Sequence, residues 1–118
     1  MHDNIKKRIN IAAKRQPADL VIKNCKIVNV FTHEIIEGDI AISDGKIAAV
    51  GNYSGEKEVD AEGRYALPGF INSHIHIESS FVSPEEFSRL VVPHGTTTII
   101  ADPHEIVNVC GMDGFDYM

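Results

Sequence analysis

The sequence predicts a mixed α/β protein in which a small β-sandwich is followed by a strand–helix–strand unit. Short β-branched stretches separated by turn residues fill residues 17–67, a spacing typical of small sandwiches. A Pro-Gly pair at 68–69 then interrupts the pattern. An apolar strand, a capped helix and a β-branched strand follow in that order, which indicates a βαβ unit with parallel strands.

Residues 1–16 are predicted to form a short amphipathic helix that docks on the rest of the protein. Ile5 and Ile9 mark one stripe at helical spacing, and most of the basic residues lie elsewhere on the helix. Pro17 ends the helix, because the residue before a proline avoids the helical region.

The sandwich segment is expected to contain hairpins. Two strand-like stretches within residues 20–31 flank Asn24-Cys25, where a two-residue turn would favour Asn-Gly. Cys25 would then need either another turn type or a strained backbone. Asp44-Gly45, between two apolar stretches, is the stronger hairpin signal. An unpaired sheet edge is expected in this segment.

The third segment, residues 68–118, opens with an apolar strand over residues 70–77. Ser83 is a favourable N-cap for the helix that follows, and Glu86 is placed to complete a capping box. A β-branched strand is predicted over residues 96–101. From Asp102 onward the chain is expected to be loop-like.

Two histidines, His74 and His76, lie one residue apart in the first strand of this segment. Side chains alternate along a strand, so both imidazoles are expected to point to the same face. Neutral imidazole is a common metal ligand. The alternative is a hydrogen-bonded pair in the core, but Pro-Gly before the strand and Glu78-Ser-Ser after it favour the metal.

Three motifs resemble the metal-dependent amidohydrolase superfamily, and its microbial adenine deaminases in particular. They are Pro68-Gly-Phe-Ile-Asn-Ser-His74-Ile-His76-Ile-Glu78-Ser-Ser80, His94-Gly-Thr-Thr-Thr98 and Ala101-Asp-Pro-His-Glu105. The resemblance covers the chain from about Pro17 to its end. It implies a TIM-like (β/α)₈ barrel beside the sandwich, and the sandwich is then part of a composite side domain. Such a barrel takes about 250 residues, so these 118 residues are expected to hold only its beginning.

The resemblance also implies roles for individual residues. His74 and His76 are expected to bind a divalent metal, with Mn²⁺ or Fe²⁺ favoured and Zn²⁺ as the alternative. Glu78, Asp102 and His104 are expected either to contact the substrate or to orient the metal ligands by hydrogen bonds. The catalytic residues are expected in later strands of the barrel. The complete enzyme would hydrolyse adenine to hypoxanthine and ammonia, while this chain alone would bind metal weakly and be inactive.

Two other interpretations remain open. The chain could be part of another amidohydrolase, of the type that cleaves cyclic amides. It could also be a non-enzymatic module that self-associates through an open sheet edge. Self-association is also expected of the incomplete barrel, which leaves apolar faces uncovered.

Composition excludes several classes of function. The net charge of −6 gives no reason to expect nucleic-acid binding. No apolar run approaches the roughly 20 residues that cross a bilayer, and the start of the chain lacks the apolar region of a signal peptide. The two cysteines, Cys25 and Cys110, are far apart and are expected to be reduced thiols of a cytoplasmic protein.

Overall fold

The structure, a computed structural model, describes residues 2–118, so the first residue of the helix predicted over 1–16 lies outside it. The chain divides into two compact units, one ending at Pro68 and the other beginning at Gly69. The elements of the first unit are α1 (His2–Ala12), β1 (Ala18–Asn29), β2 (Glu34–Ser43), β3 (Lys46–Gly51), β4 (Gly55–Asp60) and β5 (Tyr65–Ala66). Those of the second are β6 (Phe70–Ile75), α2 (Pro84–Val91), β7 (Thr96–Ala101), α3 (His104–Cys110) and α4 (Met112–Tyr117), with short 3₁₀ turns at Glu78–Ser80 and Val92–His94.

The strands of the first unit form one mixed sheet. Its order is β3-β2-β1-β4, and β5 also pairs with β1. β1 is antiparallel to β2 but parallel to β4 and β5. The two stacked sheets of the predicted sandwich are therefore not seen among residues 2–118, because the long β1 takes up both short strands in succession along one side. Within these residues β3 lies at one edge of the sheet, and the short strands β4 and β5 share the other edge.

The predicted break at Asn24-Cys25 is wrong, since β1 runs through both residues. The register with β2 shifts between Ile22 and Cys25, which marks a β-bulge. Asn24 has a φ of 55°, in the left-handed region that asparagine tolerates, so Cys25 needs no strained backbone. The Cys25 side chain is buried, and burial raises the pKa of its thiol, as do the nearby carboxylates of Asp39 and Asp60.

The turn between β2 and β3 confirms the predicted hairpin. Asp44 and Gly45 have φ values of 52° and 69°, and Ser43 pairs with Lys46 across the turn. Positive φ at both central residues is the type I′ geometry that matches the twist of the flanking strands.

Helix α1 docks on the first sheet by a residue outside the predicted stripe. Ile11 is fully buried, whereas Ile5 and Ile9 are about half exposed. Ile11 belongs to a cluster with Val21 and Ala41, residues of neighbouring strands. The helix ends at Ala12, before the predicted boundary at residue 16.

The second unit is the predicted strand–helix–strand arrangement, with β6 and β7 parallel. Ser83 caps α2 by accepting a hydrogen bond from the Glu86 N–H at 3.4 Å, and Phe87 is the buried residue of this helix. The other half of the capping box is not formed, because the Glu86 carboxylate pairs with Arg89 instead. The loop predicted after Asp102 is wrong, since α3 and α4 occupy this region.

None of the helices within residues 2–118 combines the length and apolar character that a membrane crossing requires.

Candidate metal centre

Three potential metal ligands come together where β6 and β7 end. His74 lies in β6, His76 directly follows it, and Asp102 directly follows β7. Because the two strands are parallel neighbours, their carboxyl ends meet at the same edge of the sheet. A ligand site at the carboxyl ends of parallel strands is the usual arrangement in α/β proteins.

The two imidazoles are neighbours, as the two-residue period of a strand predicts. Their ring centroids are 4.9 Å apart, with an interplanar angle of 69°. One ligand atom each from His74, His76 and Asp102 lies within 4.8 Å of the others. His76 is half-buried, whereas His74 and Asp102 are exposed, so the group is open to solvent rather than sealed in a core. Within residues 2–118, His74 and His76 therefore do not form a buried pair.

One hydrogen bond selects the tautomer of the neutral His76 ring. Its Nδ1 lies 2.6 Å from the backbone carbonyl oxygen of Asp102. A carbonyl can only accept, so Nδ1 must carry the proton in the neutral ring. Nε2 then keeps its lone pair, which is the form in which histidine binds metals.

His104, at the start of α3, extends the group. Its ring centroid is 4.8 Å from that of His76, and its Nδ1 is 3.0 Å from Oδ2 of Asp102. This hydrogen bond holds the pKa of the Asp102 carboxyl below its ordinary value, and the positive charge that His104, His76 and His74 can carry acts in the same direction. Asp102 thus contacts two of the three histidines, one through its carbonyl and one through its carboxylate.

Glu78 lies in the 3₁₀ turn after β6 and points toward α3 rather than toward the histidines. Its Oε1 accepts hydrogen bonds from the backbone N–H groups of Glu105 at 3.1 Å and Ile106 at 3.4 Å. Burial raises the pKa of the Glu78 carboxyl, but the N–H donors, its own included, outweigh burial and leave the pKa below its ordinary value. Ser79 Oγ donates to Glu105 Oε2 at 2.6 Å.

The residues that the sequence singles out therefore lie close together, but the helix that carries His104 was not predicted. A loop was expected where α3 lies, although Pro103 before His104 and the acidic Glu105 in the first turn are signals of a helix start. The role of the Asp102 carbonyl could not be read from side-chain types, because it belongs to the backbone.

A family model described as "Amidohydrolase family" matches residues 65–118, the part of the chain that carries this group. Residues 65–118 are thus similar to the amidohydrolase family. Adenine deaminase 2 of Desulfotalea psychrophila is 68% identical over 114 residues, which are 97% of this chain and 20% of that protein. Adenine deaminase of Geobacillus kaustophilus is 61% identical over all 118 residues, again 20% of that protein. The chain thus spans about one fifth of the length of the curated relatives it matches.

Two solved structures resemble this chain in fold. L-hydantoinase from Arthrobacter aurescens has a TM-score of 0.58 at 30% identity, and it covers 73% of this chain and 21% of its own. The N-acyl-D-glutamate deacylase from Bordetella bronchiseptica, complexed with zinc and a phosphonate inhibitor, has a TM-score of 0.60 at 28% identity, with coverage of 73% and 19%.

Proposed function

We propose that the chain forms the amino-terminal part of a metal-dependent hydrolase that converts adenine to hypoxanthine and ammonia. The observation that carries the proposal is the group His74, His76 and Asp102 at one sheet edge, in a chain 68% identical to an adenine deaminase. Catalytic zinc usually takes three protein ligands. The remaining ligands and the catalytic acid and base are assigned to later strands of the barrel.

The residues present fit a divalent cation. His74 and His76 would hold it, because His76 already has Nδ1 engaged and Nε2 free. When bound, such an ion lowers the pKa of a coordinated water and so supplies a nucleophile near neutral pH. Imidazole with carboxylate nearby suits Mn²⁺ or Fe²⁺, and Zn²⁺ is the alternative.

The other polar residues support this centre without replacing its ligands. Asp102 orients His76 through its carbonyl and His104 through its carboxylate. His104 has Nδ1 engaged by Asp102, which leaves Nε2 to face a purine nitrogen. In this arrangement Asp102 and His104 form the wall of the substrate site on the β7 side.

A chimera tests the proposed activity. The chain replaces the matching fifth of the Geobacillus kaustophilus adenine deaminase, and release of hypoxanthine from adenine is measured with Mn²⁺, Fe²⁺ or Zn²⁺. We expect the chimera to deaminate adenine. His76→Ala in the chimera should abolish activity, whereas His94→Ala, at an exposed histidine of the same unit, should retain it.

A folded chimera that leaves adenine unchanged would contradict the proposal. The hydantoinase likeness favours cyclic amides as the second class of substrate. Dihydrouracil and hydantoin are therefore assayed in parallel. Turnover of these substrates alone would indicate that the chain is part of an enzyme that hydrolyses cyclic amides.

The isolated chain is expected to bind metal weakly and to have no activity. Two imidazoles fall short of the usual three protein ligands, so the dissociation constant for Zn²⁺ or Mn²⁺ should be weaker than about 1 µM. Calorimetric titration measures it, and tight stoichiometric binding by the monomer would contradict the assignment of the missing ligands to other parts of the barrel.

The open edges of β3 and β4 support a second, non-enzymatic candidate, self-association of the chain by strand pairing. Light scattering on the eluate of a size-exclusion column tests this candidate. A monomer over a wide range of concentrations would remove it.

A further inference from the structure

We propose that Glu78 is a positioning residue that caps the first turn of α3 and so holds Asp102 and His104 beside His74 and His76. The importance of these four side chains for chemistry rests on the proposed function. The cap itself rests only on the hydrogen bonds of the second unit.

The first turn of α3 lacks a local cap. Helix N–H groups of the first turn have no acceptor within the helix, and a side chain at the N-cap usually supplies one. Here the N-cap is Pro103, whose side chain has no acceptor, and the first bond of the helix runs from the Val107 N–H to the Pro103 carbonyl at 3.1 Å. The Glu105 and Ile106 N–H groups would be left unpaired without a partner from elsewhere.

Glu78 is that partner. Its Oε1 accepts from both N–H groups, at 3.1 and 3.4 Å, although it lies 27 and 28 residues away in the chain. A negative carboxylate at a helix N-terminus is also favoured by the positive end of the helix dipole. The glutamate thus does for α3 what an N-cap aspartate does for an ordinary helix.

The cap is one of several bonds between the turn after β6 and the start of α3. The Asp102 N–H donates to the Ile75 carbonyl at 2.9 Å, and Ser79 Oγ donates to Glu105 Oε2 at 2.6 Å. Together with His76 Nδ1, these bonds attach the segment after β7 to the segment after β6. Glu78 alone among these side chains reaches the backbone of the helix beyond its first residue, so it sets where the helix starts.

The second carboxylate oxygen of Glu78 argues against direct contact with substrate. Oε2 is buried and has no hydrogen-bond partner within residues 2–118. It is not exposed at the open histidine group, where a ligand would arrive. Glutamine at this position keeps an oxygen for the two N–H groups and places its amide nitrogen where no partner is present in either case, so Glu78→Gln should keep the cap.

The test is made on the whole 118-residue chain by NMR. Amide hydrogen exchange is measured at Glu105 and Ile106, together with the nuclear Overhauser effect between the His76 and His104 rings. In Glu78→Ala we expect exchange at both amides to rise about tenfold, the usual size of a lost cap, and the ring contact to disappear. Glu78→Gln should restore both. Asp116→Ala, an exposed carboxylate of the same unit, should change neither.

Two results would overturn the proposal. One is a Glu78→Ala chain with unchanged exchange at Glu105 and Ile106. The other, which decides the matter even if Glu78→Ala does not fold, is that both amides of the unaltered chain exchange as fast as in an unstructured peptide. Co²⁺ titration is run beside these measurements. Absence of Co²⁺ binding by the chimera would weaken the proposed function, but the amide and ring data of the 118-residue chain would still decide on Glu78.

Discussion

The two units differ in how much they bury. The first has a core of fully or nearly fully buried apolar side chains on both faces of its sheet, whereas Ile77 and Phe87 are the buried apolar side chains of the second. Large apolar residues of the second unit, such as Ile71 and Val109, stay exposed. Within the 118 residues, apolar burial therefore stabilises the first unit, while the second relies more on caps and hydrogen bonds.

A carboxylate from each unit shows the same difference. Asp39, in the first unit, is 6% exposed and accepts hydrogen bonds from the Lys23 ammonium at 2.6 Å and from the Asn24 and Tyr53 N–H groups at 3.1 Å. Asp102, in the second, has a side chain that is 54% exposed and bonds to His104. Both carboxylate oxygens of Asp39 accept hydrogen bonds within the fold, whereas Asp102 keeps one carboxylate oxygen available for a ligand.

The largest expected effect comes from removing Asp39. Asp39→Ala removes the acceptor of two N–H groups and one of the two acceptors of the partly exposed Lys23 ammonium, so we expect the first unit to lose about 2 kcal/mol of stability. Urea unfolding followed by circular dichroism measures this. Glu37→Ala, at an exposed site on the same strand, should stay within about 0.5 kcal/mol. Equal losses from the two variants would show that Asp39 is not the structural carboxylate we describe.

In the second unit we expect substitutions at the histidines to reduce metal affinity more than stability. In the chimera, His74→Ala and His76→Ala should each weaken Co²⁺ binding by about 100-fold, since removing a ligand costs at least as much as removing a group that supports it. Both histidines lie outside the buried core, so the unfolding midpoint should hardly move in His74→Ala. His76→Ala also loses the bond to the Asp102 carbonyl and should cost about 1 kcal/mol. His94→Ala is the matched control. Loss of the fold together with the metal would mean that the histidines are structural.

The difference between the units also explains what the sequence could predict. The Asp44-Gly45 turn, the Ser83 cap and the His-x-His pair are local patterns, and each was read correctly because its physics is contained in a few neighbouring residues. The strand alternation that pairs His74 with His76 is of this kind.

The errors concern interactions between distant residues. β1 pairs in turn with β4 and β5, which merges the predicted sandwich into one sheet, and no local pattern shows this. Helix α3 has local signs of a helix start at Pro103 and Glu105, but the carboxylate that accepts from its first turn, Glu78, lies in another part of the chain. Likewise, Ile11 rather than Ile9 is buried, since the neighbouring strands select the face of the helix.

Acid should act on the first unit through Asp39. Burial raises the pKa of its carboxyl, but the bonds from Lys23, Tyr53 and Asn24 outweigh burial and hold the pKa below its ordinary value. The unfolded state then binds the proton more readily, so this stabilisation is full above about pH 4 and is lost as the pH falls through the folded value. Asp39→Asn should flatten the acid limb of a stability–pH curve, and Glu37→Gln should not. A curve unchanged in Asp39→Asn would contradict this account.

The smallest expected effect, at the cap of α2, tests most directly whether the two units differ in stability. Ser83→Ala removes the cap of α2 and should cost about 1 kcal/mol. Ser88→Ala, at an exposed interior position of the same helix, should be neutral or slightly stabilising, because alanine favours the helix. Because the second unit buries so little, the loss should appear as faster amide exchange across α2 while the first sheet stays protected. Exchange that rises equally in both units would mean that the chain unfolds as one body, and the contrast drawn between a packed unit and a hydrogen-bonded unit would not hold.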